Sequence, residues 1–125
     1  MGALNAAGVG PLRAVLSGAA LRQVYLQAMH EVVRRLGIRA GHVLFGHTHR
    51  GGPWPPDDAS EWRAAGGPAL WNTGSWVYQP HFLSGAPGTS PYWPGTAVLV
   101  DDEGPPRLLA LLRDHGHDAL RPGGR

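Results

Sequence analysis

The sequence predicts an α/β fold, with one helix followed mainly by strands and long loops. Three observations carry this. Residues 17–36 repeat apolar side chains at helical spacing. Val43-Leu44-Phe45 follows at once, a run of three bulky apolar residues that reads as a short strand buried on both faces. Three more short apolar runs, Ala69–Trp71, Thr96–Val100 and Arg107–Leu112, are separated by stretches rich in glycine and proline. A helix feeding a buried strand is the αβ half of a βαβ unit and calls for a parallel neighbouring strand. That neighbour is expected from sequence outside this chain.

Residues 1–16 are rich in Gly and Ala and lack a period, so they read as a flexible N-terminal segment. In the helix, Leu21, Val24, Tyr25, Ala28, Val32 and Leu36 form one apolar stripe, widened by Leu26, Met29 and Val33. Gln23, Gln27, His30 and Arg34 form the polar face. Ser17 is placed to cap the helix and Gly37 to stop it. Residues 51–68 form a long loop with helical content limited to one turn in Ala59–Ala65, since its prolines fix φ and break regular structure. Trp54 and Trp62 either pack this loop onto the body or line a cleft. Asn72–Ser75 reads as a tight turn, because Asn tolerates left-handed φ and Gly supplies it. Residues 78–95 are a second aromatic, proline-bearing loop. Asp101-Asp102-Glu103-Gly104 is the acidic turn of a terminal hairpin, and 114–125 reads as a disordered tail.

The chain has 125 residues, 42% hydrophobic and 16% charged, which suits a single domain with a modest core. Its net charge is +2 and its arginines form no run, so nothing in it argues for nucleic-acid binding. It has no cysteine, which excludes disulfides, thiolate metal sites and a thiol nucleophile. No run is long enough to span a membrane, and no secretory signal is visible. A cytoplasmic location is the resulting expectation.

Chemistry concentrates in Gly46-His47-Thr48-His49-Arg50. In extended backbone, residues i and i+2 point to one side, so His47 and His49 are expected to aim both imidazoles at one small volume. Neutral imidazole is the commonest side-chain ligand for divalent transition metals. Arg50 suits either a phosphate oxygen or a salt bridge. Some twenty residues on stands Asn72-Thr73-Gly74-Ser75-Trp76.

Taken together and in this order, Gly-His-Thr-His and Asn-Thr-Gly-Ser-Trp resemble the C-terminal part of calcineurin-like metallophosphoesterases. The resemblance covers roughly residues 18–113. It implies the C-terminal half of an α/β/β/α sandwich, with 17–113 a partial domain of that kind. It also implies hydrolysis of a phosphate mono- or diester by a phosphatase or phosphodiesterase holding a pair of divalent ions, Mn, Fe, Zn, Ni or Co. His47 would bind one ion and His49 the other. Gly46, Asn72, Thr73, Gly74 and Ser75 would shape the site without binding metal. The family's upstream Asp-x-His, Gly-Asp-x-x-Asp and Gly-Asn-His motifs are missing: no Asp precedes Asp57, and the only Asn before Phe45 is Asn5. Two readings follow. One is a phosphoesterase fragment, inactive alone, that needs an N-terminal half or self-association. The other is a non-catalytic module that binds a partner through a bare sheet face.

Overall fold

The computed structural model describes residues 18–83 and 85–123. The 1–16 segment, the proposed cap Ser17 and the end of the tail lie outside these. The architecture is mixed α/β. Helix α1 (Gly18–Arg35) leads into strand β1 (His42–Phe45), and β2 (Gly51–Gly52), β3 (Ala69–Thr73), β4 (Thr96–Leu99), β5 (Arg107–Ala110) and a short helix α2 (His117–Leu120) follow. Turns of 3-10 helix occupy Ala59–Trp62 and Pro80–Phe82. The first of these is the single turn expected in the long loop.

Helix α1 ends as its glycine dictates. Gly37 sits at φ +59, and two bonds close the end: Ile38 N donates to Val33 O at 3.0 Å, and Gly37 N to Arg34 O at 3.2 Å. This is the paired arrangement that left-handed glycine permits after a helix. On the outer surface Arg34 and Arg35 both bond Glu31, which holds the Glu31 carboxyl down at about 2.

Of the main stripe α1 buries only Tyr25; the rest of its buried face comes from the widening residues. Tyr25, Leu26 and Val33 are buried, with Met29 packed beside them. Leu21, Val24, Val32 and Leu36 stay exposed, at 43, 53, 40 and 71%. The core joins the buried face to Trp62 and Leu70, with Ile38, Val43 and Phe45 at its border. Each fully buried apolar side chain of this size stabilises the fold by roughly 1.5–3 kcal/mol.

Strands β1, β3 and β2 form one sheet in that spatial order, and β4 pairs with β5 in a second. β1 and β3 run parallel, with Val43 opposite Leu70 and Phe45 opposite Asn72. The parallel neighbour of β1 therefore lies within this chain, not outside it. β1 is an edge strand, and its burial alternates: Val43 and Phe45 are half-buried while His42 and Leu44 are exposed. It is not covered on both faces as its apolar run suggested.

The β4–β5 hairpin is antiparallel, with Thr96 opposite Ala110 and Leu99 opposite Arg107. Its acidic turn is solvated, and Arg107 bonds Asp101 there. Within the stretch read as a tail, His117–Leu120 form α2. The Tyr78 hydroxyl lies 2.8 Å from His117 Nδ1, and the His117 ring stands edge-on to Trp93 at 5.1 Å. Two aromatic partners supplied by the second loop, the half-buried Tyr78 and the buried Trp93, are what the tail's own composition does not reveal.

Candidate functional site

Parallel pairing brings the C-terminal ends of β1 and β3 to the same edge, so the loops after Phe45 and Thr73 emerge side by side. Asn72 lies at this junction and is completely buried. Its Nδ2 donates to Thr48 Oγ1 at 2.5 Å, and its Oδ1 accepts from Gly74 N at 3.1 Å. One amide thus ties down both loops, and neither of its polar ends is left unpaired.

The loop that Thr48 anchors is not extended. His47 has φ +79 and His49 φ +59, so both occupy the left-handed region. Histidine is among the residues enriched there, but non-glycine residues so held cost of order 1–3 kcal/mol each and cluster at functional sites. The simple alternation expected for His47 and His49 does not apply, because it presumed strand geometry. Thr48 turns inward to Asn72, His47 is exposed and His49 is half-buried. His49 Nδ1 lies 3.2 Å from Gln79 Oε1. An amide oxygen only accepts, so this contact puts the proton on Nδ1 and leaves the Nε2 lone pair open. Such a partner on the far ring nitrogen is how ligating histidines are commonly oriented. Gln79 carried no signal in the sequence, since it lies in an aperiodic loop thirty residues away.

The supporting residues are close-fitting. A Cβ on Gly46 would come within 3.2 Å of Thr73 Oγ1, and one on Gly74 within 2.6 Å of Thr96 Cβ. Gly74 also needs its φ of +75. Ser75 is buried; its Oγ accepts from Val77 N, and its carbonyl accepts from Gly95 N and Thr96 N. This turn therefore links the β1–β3 junction to the second sheet.

Arg50 is placed differently from the phosphate contact considered for it. Its guanidinium is buried, 5.9 Å over the Trp62 ring, and bonds Asp57 through two nitrogens at 2.8 and 2.6 Å. Asp57 also accepts from Trp54 N and lies 3.5 Å from Arg22, which in turn bonds Glu61. Burial alone would push the Asp57 carboxyl up; the bonds from Arg50 and Trp54 outweigh it and hold the carboxyl below its ordinary range. Nearby, burial pushes the Tyr25 hydroxyl up to about 12, against the pull of the Arg50 guanidinium. This is a structural ion cluster, and a phosphate reaching Arg50 would have to displace a buried carboxylate.

The residues present do not fit a metal pair. Among the described residues, no group of three or more His, Cys, Asp or Glu is arranged to hold an ion. His47 and His49 offer two imidazoles, whereas two adjacent cations need several further ligands, carboxylates among them, to offset their repulsion. Asp57 is taken by arginines, and His30 bonds the Glu61 carbonyl through Nε2. Two cavities of about 650 and 640 Å³ lie away from the pair: one is lined by His30, Ile38 and Pro68, the other by Trp54, Thr89, Leu108 and Arg113. No helix among the described residues is long and apolar enough to cross a membrane.

Compared with protein-family models, with curated proteins and with solved structures, the chain matches none.

Proposed function

We propose that this chain carries the histidine-bearing end of a metal-dependent phosphoesterase site of the calcineurin-like kind, a site that residues beyond those described here must complete. The reaction class is hydrolysis of a phosphate mono- or diester. The observation that carries this reading is the Gly46–Arg50 loop: two histidines in left-handed backbone, pinned through Thr48 to a fully buried Asn72, with His49 oriented by Gln79. Within this reading the chain's own contribution is two imidazoles, of which His49 is oriented by Gln79. Asn72, Gly74 and Ser75 position them, and Arg50 and Asp57 fasten the following loop beneath them.

The chain alone should bind Mn²⁺ or Zn²⁺ weakly, and His47→Ala or His49→Ala should abolish that binding in titration calorimetry. It should not hydrolyse bis-p-nitrophenyl phosphate above background in the presence of Mn²⁺. Tight binding indifferent to both substitutions would place the metal elsewhere. Robust turnover lost in His49→Ala would mean that the chain completes the site by itself.

A second reading, a non-catalytic module that docks on a partner, is favoured by one specific feature: among the described residues, the apolar flank of α1 is exposed and β1 is an edge strand.

A further inference from the structure

The second of the two cavities, of about 640 Å³, is a crevice between the first long loop and the β4–β5 hairpin. One wall is made by Pro53, Trp54 and Pro55, directly after β2. The other is made by Leu108 and Ala110 of β5, which stand at i and i+2 and so share one face of the hairpin. Opposite Ala110 in the register is Thr96, whose side chain fills the space beside Gly51 of β2 and beside Gly74. This face of the hairpin therefore looks toward the first sheet.

The loop wall is apolar and held in place. Trp54 Nε1 donates to Thr89 O at 3.1 Å, and Trp54 N donates to Asp57 at 2.9 Å. Proline has no N–H, so Pro53 and Pro55 bring ring surface and no backbone donor to the crevice. Two lining residues are charged, Asp57 and Arg113. The Asp57 side chain is 2% exposed and already neutralised by the two bonds from Arg50. Arg113 is exposed and has no carboxylate within ion-pair distance among the described residues. Its backbone packs on Gly88 at the end of the crevice, where a Cβ on Gly88 would come within 2.4 Å of Arg113 O. The uncompensated charge of the lining is thus a single positive one.

We propose that this crevice binds a small aryl carboxylate, its ring between Trp54 and the β5 wall and its carboxylate on the Arg113 guanidinium. Small-molecule sites are cavities of roughly 300–1,000 Å³, mostly apolar, with a few polar groups that fix orientation. Guanidinium matches the planar carboxylate with two parallel bonds. One guanidinium balances one negative charge, whereas a phosphate dianion would be left half-compensated. A tryptophan ring fixed at its Nε1 favours a flat partner, because aromatic pairs gain more than their buried area alone. Neither His47 nor His49 lines the crevice, and the inference does not rest on the phosphoesterase reading.

The experiment is a titration of the ¹⁵N-labelled full chain with naphthalene-1-carboxylate, followed by the indole N–H signals of its five tryptophans. Trp54→Phe identifies the Trp54 signal by its loss. That signal should move saturably in wild type. Naphthalene-1-carboxamide has the same shape without the charge and should bind about tenfold more weakly, since a bond to a charged group is replaced by a neutral one. Arg113→Gln should weaken the carboxylate by about the same factor and leave the carboxamide unchanged. Arg113 is exposed, so far-UV circular dichroism should not change in that variant. Cyclohexanecarboxylate, which is not flat, should bind more weakly than the aryl acid, and acetate should not displace it. An unmoved Trp54 signal would overturn the proposal. So would equal affinity for acid and amide, indifference to Arg113→Gln, equal binding of cyclohexanecarboxylate, or tighter binding of phenyl phosphate at the same signal.

Discussion

Arg50 and Asp57 are 6% and 2% exposed at their side chains, so each charge depends on the other. Removing one partner of a buried ion pair typically costs about 3–5 kcal/mol, because the remaining charge is stranded. Asp57→Ala should lower the urea midpoint accordingly, whereas substitution of the exposed Asp102 should not move it. The pair also sets a pH dependence. Arg50 holds the Asp57 carboxyl below its unfolded value, so its contribution is fully present above the ordinary aspartate range and is lost as pH falls through the lower, folded value. Denaturation at a series of acidic pH values should show a shallower loss in Asp57→Asn than in wild type; equal slopes would show that the pair contributes no linkage. Asn72→Ala unties Thr48 and Gly74 together and should cost about 2 kcal/mol, from two lost hydrogen bonds at roughly 1 kcal/mol each. At this scale the sequence was legible where chemistry follows local order. The prominence of Gly46, His47, His49 and Asn72 came from their spacing, and Asn72 does link the two loops. Asp57 and Gln79 were not legible, because their partners lie seven and thirty residues away across loops without a period.

Glycines decide how the elements end and how closely they pack, and two of them predict opposite behaviour. Gly37 closes α1 at φ +59 with open space around the position a Cβ would take. Gly37→Ala should therefore cost only the backbone strain, about 1 kcal/mol. Gly52 in β2 has ordinary φ but lies under Trp62, and a Cβ there would come within 2.0 Å of the ring. Gly52→Ala must push Trp62 out of the core it shares with Leu26 and Leu70, and should cost several times more; comparison of the two by chemical denaturation checks this. Equal losses would show that Trp62 can move freely. The helix itself was legible from its period, and its stop from Gly37. Which stripe faces the core was not. Of the longer row, Leu21, Val24, Tyr25, Ala28, Val32 and Leu36, only Tyr25 is buried, while the widening residues Leu26, Met29 and Val33 are covered. Periodicity reports that a stripe is apolar; it does not report what lies opposite. β1 shows the same limit, since three consecutive apolar residues resemble a fully buried strand whether or not the second neighbour is present.

Across the whole molecule, two small sheets share one seam. Ser75 O accepts from Gly95 N, Gly51 N donates to Pro91 O, and Leu111 N donates to Gly95 O. Trp93 sits at the centre of this seam at 1% exposure. Its Nε1 donates to Leu112 O, its carbonyl accepts from Thr96 Oγ1, and its ring carries His117 of the terminal helix. The first sheet has its own core around Trp62, in which Trp93 takes no part. Whether the two halves unfold together is therefore a question about the seam. The bonds through Ser75, just after β3, and Gly51 of β2 reach the start of β4 and the loop leading into it, and Thr96 fills the space beside both Gly74 and Gly51. The second sheet, a single two-stranded hairpin, is too small to persist alone. Trp93→Ala should then cost about 3–5 kcal/mol, a large share of a stability of roughly 5–15 kcal/mol. It should lower one cooperative transition, seen at the same midpoint by far-UV circular dichroism, which reports α1, and by fluorescence of the remaining tryptophans. Two separated transitions, with the α1 signal melting as in wild type, would show that the sheets are independent and that the seam transmits nothing to the histidine loop.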